Sequence, residues 1–192
     1  MSTIKVSTIS PLGTDATKTI TIGSAGDTIA GMGANTPAFL AYLSSDQTGV
    51  AHETYVKVNF NAEVFDTNST FNTSTYRFTP GVAGKYFLFT QVLIEATNTA
   101  DSQTLRKVQS AIYKNGSIIT SPGLEYRLRG NDNGGVADAE FDQVMATISG
   151  IVVADANDYF EVYGYGGNDN GSTERKFTAN LCTFGGNRII GA

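Results

Sequence analysis

The pentapeptide GNDNG occurs twice in this sequence, within RLRGNDNGGVAD and within YGYGGNDNGSTE. Its carboxylate and amide oxygens are the kind of ligand that calcium takes, about six to eight at a time. One interpretation is therefore a calcium site or a receptor contact formed by Asp132, Asn133, Asp169 and Asn170. The other is a pair of tight turns, because Asn and Asp bond their own backbone and tolerate left-handed conformations. Each copy is too short to be an EF-hand loop.

A second acidic pattern, formed by Asp138, Glu140 and Asp142, alternates onto one strand face and resembles the carboxylate pair of glycoside hydrolysis. A solvated strand face explains the same spacing, and no base, nucleophile or cofactor motif accompanies it. His52 and Cys182 are the single histidine and the single cysteine, so a cluster of such zinc ligands is excluded. We predict that the protein is not an enzyme and that Cys182 is a small core residue.

The amino-acid composition and net charge limit the classes of partner that we expect for this protein. The chain has 192 residues, a formal net charge of -5 and 41% hydrophobic residues, which is enough for one domain with a core. The acidic balance predicts no nucleic-acid partner. No apolar run approaches the roughly 18 residues of a membrane span, so we expect no membrane insertion. The N-terminal residues lack the apolar core of a signal peptide, so we expect synthesis in a cytoplasm.

The elements that must position these residues are strands. KYFLFTQVLIEA is largely apolar at both its odd-numbered and its even-numbered positions. This pattern predicts a central strand with Tyr86, Leu88 and Thr90 on one face. KVQSAIYKNGSIIT predicts a hairpin that turns at Asn115-Gly116. FDQVMATISGIVV alternates, and one of its faces carries Val144, Ala146, Ile148, Gly150 and Val152. About eight to ten such strands predict an all-β sandwich, barrel or jelly roll.

The first 35 residues differ from the rest. They contain no aromatic residue, and KTITIGSAGDTI alternates Ile with Thr. Such a segment has too few large apolar side chains to bury a core alone. We predict a short β-rich N-terminal arm or stalk over residues 1–35, ordered by pairing with other chains, and a head over residues 36–192. A disordered tail is the alternative for the arm.

From Pro37 onward the sequence resembles the globular head of complement component 1q, in the tumour-necrosis-factor-like jelly-roll superfamily. PAFLAYL resembles the first strand of that family, SAIYKNGSII its hairpin, DANDYFEVYGYGG its penultimate strand and KFTANLCTFGG its last. The strongest match lies between the first strand and the hairpin and is carried by Phe60, Val64, Phe65, Asn68, Phe71, Phe78, Pro80, Gly81, Gly84, Tyr86 and Phe87. The resemblance implies an all-β jelly-roll β-sandwich of about ten strands.

The resemblance also implies a homotrimer around a threefold axis. A lone sandwich this rich in aromatic residues would expose a large apolar patch, which self-association would bury. With the strands named A to H, one sheet of the family runs A, H, C, F. Both GNDNG loops then lead into F and H at one end of the head, which the C–D connection with Asp101 also reaches, and the arm enters at the other end. Some members of the family hold calcium near the axis, so Asp101 joins the candidate ligands.

One departure from the family directs the functional prediction. The family places its head after a collagen stalk, whereas this head follows a Thr/Gly/Ser arm that resembles bacteriophage fibre shafts. We expect a non-enzymatic virion surface protein, a trimeric fibre or decoration head that contacts a host glycan or protein, with its arm bound to other virion structural proteins. Two alternatives stay open: a capsid decoration or cement protein without receptor binding, and a bacterial secreted or cell-surface trimeric adhesin.

Overall fold

The computed structural model of the chain describes residues 36–97, 105–119, 125–129, 141–167 and 175–189. Within these ranges the chain forms strands and turns and no helix. Five strands are only two residues long and nine are longer, close to the expected ten. The strands are β1 (Ala38–Tyr42), β2 (Gln47–Thr48), β3 (Val56–Lys57), β4 (Ala62–Asp66), β5 (Phe71–Asn72), β6 (Arg77–Phe78), β7 (Gly84–Ala96), β8 (Lys107–Lys114), β9 (Ser117–Ile118), β10 (Glu125–Arg129), β11 (Gln143–Ala154), β12 (Phe160–Gly167), β13 (Arg175–Phe177) and β14 (Thr183–Arg188).

The first sheet is built around β7 and is called the β7 sheet below. β11 pairs with β7 along one side, and β14 followed by β13 pairs along the other. β1 joins β14, β4 joins β1 and β2 joins β13, all antiparallel. The family order A, H, C, F is therefore present as β1, β14, β7, β11, and the prediction of a central strand for KYFLFTQVLIEA is confirmed.

The second sheet, the β12 sheet, has β8 and then β10 on one side of β12, and β3 and β6 on the other. β9 forms a hairpin with β8, and β5 pairs with β6. The hairpin turns at Asn115 and Gly116, whose φ angles of 53° and 79° lie in the left-handed region, as predicted. The two antiparallel sheets enclose one core, which makes the fold a jelly-roll β-sandwich.

Aromatic rings fill the core between the sheets. Phe39 of β1 stacks on Phe78 of β6 with ring centroids 4.4 Å apart and meets Phe184 of β14 edge-on at 5.0 Å. Elsewhere the sheets approach more closely. A Cβ placed on Gly164 of β12 would lie 2.6 Å from the Phe177 ring, so only glycine fits opposite that ring.

The last predicted strand is interrupted, which corrects the single strand expected for KFTANLCTF. Phe177 pairs with Ile94 and Thr183 with Gln91, so the chain makes an excursion between β13 and β14 while β7 stays regular. Asn180 takes a φ of 59°, which an Asn tolerates better than most residues. Cys182 returns to the core and is fully buried, as predicted, and burial raises the pKa of its thiol to about 11.

Candidate functional site

The outer face of the β7 sheet carries several large, exposed apolar side chains. Even-numbered β11 residues such as Val144 and Ile148 are buried, as the alternation predicts, but several odd-numbered ones are apolar too. Ile151 is 60% exposed and Val153 is 67% exposed. We call this surface the apolar face, and its large exposed side chains are Phe65, Phe87, Met145, Ile151 and Val153. Exposed apolar patches are typical of interaction sites in general.

A shallow groove of about 280 Å³ crosses the apolar face. Its walls come from three neighbouring strands, with side chains of Phe87, Phe89, Gln91, Thr147, Ser149 and Thr183. Gly185 of β14 makes room for one of them, because a Cβ there would lie 2.5 Å from the Phe89 ring. The groove offers rings and methyl groups with few charges, so it suits an apolar partner surface.

The outer face of the β12 sheet is different, because it is centred on a buried carboxylate. Glu161 is 1% exposed, and its Oε1 accepts hydrogen bonds from Lys57 Nζ at 2.5 Å and Arg77 Nε at 2.7 Å. Burial raises the pKa of Glu161, but the two hydrogen bonds outweigh burial, so the net pKa lies below its ordinary value. The bond to Glu161 also raises the pKa of Arg77. The ion pairs hold β3 and β6 against β12.

Partly exposed aromatic rings surround this carboxylate. The rings of Tyr113 and Tyr163 have centroids 4.1 Å apart, and those of Tyr55 and Tyr165 are 5.3 Å apart. The Arg77 guanidinium lies 4.1 Å from the centre of the Tyr159 ring. Sequence reasoning did not find this cluster. Its one local signal is a glutamate at an outward position within the aromatic strand DYFEVYGYGG.

The predicted loop ligands Asp132, Asn133, Asp169, Asn170 and Asp101 lie outside the described residues, so the calcium and receptor interpretations stay predictions. The strands that flank the loops are described. β11 begins with Gln143 opposite Glu95, and β13 begins with Arg175 opposite Ala96. Both loops therefore lead into the same end of β7, as the predicted topology requires.

The described chain begins at the other end of β7. Arg188 N donates to Pro37 O at 3.0 Å, and Ile189 N donates to Lys85 O at 2.8 Å. Because β7 begins at Gly84, the point where residues 1–35 join the head lies at the end opposite the one that the loops enter. The arm itself lies outside the described residues and stays a prediction, as does its boundary.

Charged residues also occur where β13 begins. Arg175 is fully buried, which lowers the pKa of its guanidinium, while the carboxylate of Glu53 acts in the opposite direction. Glu53 Oε1 accepts from Lys107 Nζ at 2.6 Å. In the described part of the chain, His, Cys, Asp and Glu side chains form no group of three that could hold a metal ion. Of the three acidic residues considered for catalysis, Asp142 is described and exposed.

No protein-family model matches the sequence, and no curated protein matches it. Among solved structures, the chain is similar to the globular domain of zebrafish complement 1qA protein, with a TM-score of 0.47 and 18% sequence identity. The match covers 80% of this chain and 97% of that one. The strand order of the two sheets makes the fold a jelly roll. Across the described ranges, no helix is long and apolar enough to span a membrane.

Proposed function

We propose that the protein is a self-associating jelly-roll head that works by binding, and that it forms a homotrimer through the apolar face. The observation that carries the proposal is the exposure of large apolar side chains on adjacent strands, above all Ile151 and Val153. Burying apolar surface is worth about 25 cal/mol per Å², so copies of the chain gain free energy by covering this face. The number three comes from the sequence resemblance.

Sedimentation of the full chain tests the association. At micromolar concentration we expect about three times the chain mass of 20.3 kDa. The double variant Ile151→Lys/Val153→Lys places two charges on the apolar face and should sediment as a monomer that still folds. The matched control Ser74→Lys/Thr75→Lys adds the same charge at an exposed turn and should stay trimeric. A wild-type chain that sediments as a monomer or a dimer would overturn the proposal.

We further propose that this head is a virion surface module. The support is the sequence of residues 1–35, which resembles fibre shafts, together with the position of Thr36 at the end opposite the GNDNG loops. In this arrangement the arm attaches the head to the particle and the loop end is directed toward the host.

Deleting residues 1–35 tests the attachment. The head should keep its melting temperature because the arm has few core-forming residues, but it should no longer join the particle. Labelled antibodies on intact particles would locate the full chain and distinguish a fibre from a capsid decoration. If the truncated head unfolds, the arm belongs to the core. If no particle carries the chain, the virion role is wrong, and the cell-surface adhesin becomes the better candidate.

A further inference from the structure

A pocket of about 360 Å³ opens at the end of the sandwich where the described chain begins. We call it the base pocket. Thr36 and Gly81 contribute to its wall, and its side chains come from Pro37, Asn68, Thr70, Pro80, Val82 and Arg188. Its volume is at the lower end of the range for ligand sites, about 300 to 1,000 Å³. Its exposed lining is more polar than apolar, with Asn68, Thr70 and Arg188 beside two prolines and a valine.

Arg188 is held in place at this pocket. One guanidinium nitrogen, Nη2, donates to Ala83 O at 3.2 Å. The group lies against the backbone of Gly84, where a Cβ would be 3.0 Å from Nε. The main chain is fixed as well, since Arg188 N donates to Pro37 O. A guanidinium has five N–H donors, so most of its donors are not used by this single bond.

The charge of Arg188 is not balanced within the described part of the chain. Four described lysines form ion pairs with carboxylates, namely Lys57, Lys107, Lys114 and Lys176. Arg188 forms no ion pair, and neither does the exposed Lys85 on the neighbouring strand. The carboxylate closest in sequence to the pocket walls belongs to Asp66, and it accepts from Thr70 Oγ1, Phe71 N and Asn68 N. Within the described residues, Arg188 is therefore a cation that no ion pair neutralises.

We propose that the base pocket binds a carboxylate side chain, Asp or Glu, of the protein that receives the N-terminal arm. Arg188 forms a two-bond pair with the carboxylate, the geometry that suits a planar guanidinium best. The Pro37, Pro80 and Val82 side chains contact the methylene groups, and the Asn68 amide nitrogen donates a further hydrogen bond. The identity of the partner rests on the proposed attachment through the arm, whereas the preference for a carboxylate rests on the pocket alone.

The test uses the full chain and a minimal probe, N-acetyl-glutamate N-methylamide, followed by amide and Arg Nε NMR shifts. We expect saturable shifts at Asn68, Gly81, Val82 and Arg188 with millimolar affinity. The neutral glutamine analogue should produce none. Arg188→Gln should weaken probe binding by about tenfold or more, because a hydrogen-bonded charge is lost. Arg188→Lys keeps the charge but loses the planar guanidinium, so its affinity for the probe should lie between those of wild type and Arg188→Gln.

The control Lys176→Gln removes the same charge at the opposite end of β7 and should bind the probe like wild type. Equal shifts with the glutamine analogue, unchanged binding by Arg188→Gln, or tighter binding of inorganic sulfate than of the glutamate probe would each overturn the proposal. If Arg188→Gln does not fold, the wild-type contrast between the two analogues decides the question. If probe binding persists while deletion of residues 1–35 has no effect on attachment, the arm proposal fails and the base pocket stands.

Discussion

The two outer faces of the sandwich are made by the same strand alternation, yet they carry opposite chemistry. On the β7 sheet the outward residues of β11 include Ile151 and Val153. The ion pair between Lys176 and Glu95 lies toward the other end of that sheet. On the β12 sheet an outward glutamate is buried beneath Lys57, Arg77 and a group of tyrosines. The β12 face is therefore completed by ion pairs within its own chain, whereas the β7 face is the one that we propose another copy covers.

The largest expected loss of stability comes from a substitution that disrupts the ion pairs of the β12 face. Glu161→Ala leaves Lys57 and Arg77 without their shared carboxylate. Breaking a buried ion pair costs about 3 to 5 kcal/mol, and we expect about 2 to 3 here because both cations are partly solvated. Urea unfolding measures the free energy of unfolding. Thr147→Ala, on the apolar face, is the matched comparison and should change it by less than about 0.5 kcal/mol. Equal costs for the two variants would remove the distinction between the faces.

The next effect concerns the apolar face. Phe87→Ala should lower the free energy of association by about 1 to 2 kcal/mol, because an aromatic anchor is lost at the interface. The free energy of unfolding of the monomer should change less. Sedimentation across a dilution series measures the association. Tyr159→Ala, an aromatic truncation beside β12, should leave the association unchanged. If Tyr159→Ala loses the trimer, the interface lies on the β12 sheet and not on the apolar face.

Acid should weaken the ion pair between Lys114 and Asp158, beside the β12 face, before it affects the apolar face. Hydrogen bonds from Lys114 and Asn115 lower the pKa of Asp158 from 3.8 to about 2. The stabilisation is therefore present above pH 4 and is lost as the pH falls through the folded-state value. We expect about 1 kcal/mol from this pair, since Lys114 is partly exposed. Asp158→Asn should show a shallower loss in urea unfolding between pH 4 and pH 2 than wild type; a loss of the same slope would assign the acid sensitivity to other groups.

The smallest effect concerns the repeated loops at the end of both faces. If each GNDNG segment only forms a tight turn, Asp132→Asn/Asp169→Asn should change the free energy of unfolding by less than about 0.5 kcal/mol, with or without calcium. Melting curves in calcium and in chelator measure this. Wild-type stabilisation by calcium that disappears in the double variant would establish the loops as a cation site, because Asn keeps the turn preference but loses the charge that calcium needs.

Local patterns predicted the elements well and the long-range chemistry poorly. The alternation of β7 and β11 and the Asn115-Gly116 turn are properties of neighbouring residues, and each appeared where the sequence placed it. The excursion at Asn180 was missed because KFTANLCTF keeps a strand-like composition through it. Glu161 lies 104 residues from Lys57 and 84 from Arg77, so no window of sequence joins them. The base pocket likewise unites Asn68 with Arg188 only through the pairing of β1, β4 and β14.

The long β11 strand has a consequence for the life of the chain before assembly. In the described residues it pairs on one side only, with β7, and no strand pairs with its other edge, beside Ile151 and Val153. Val153 O accepts a hydrogen bond from Lys114 Nζ at 3.0 Å. An open edge next to apolar side chains is a template for indiscriminate strand addition. A newly made copy is therefore open to strand addition by other copies until this edge is covered, and strand addition becomes faster as the concentration rises.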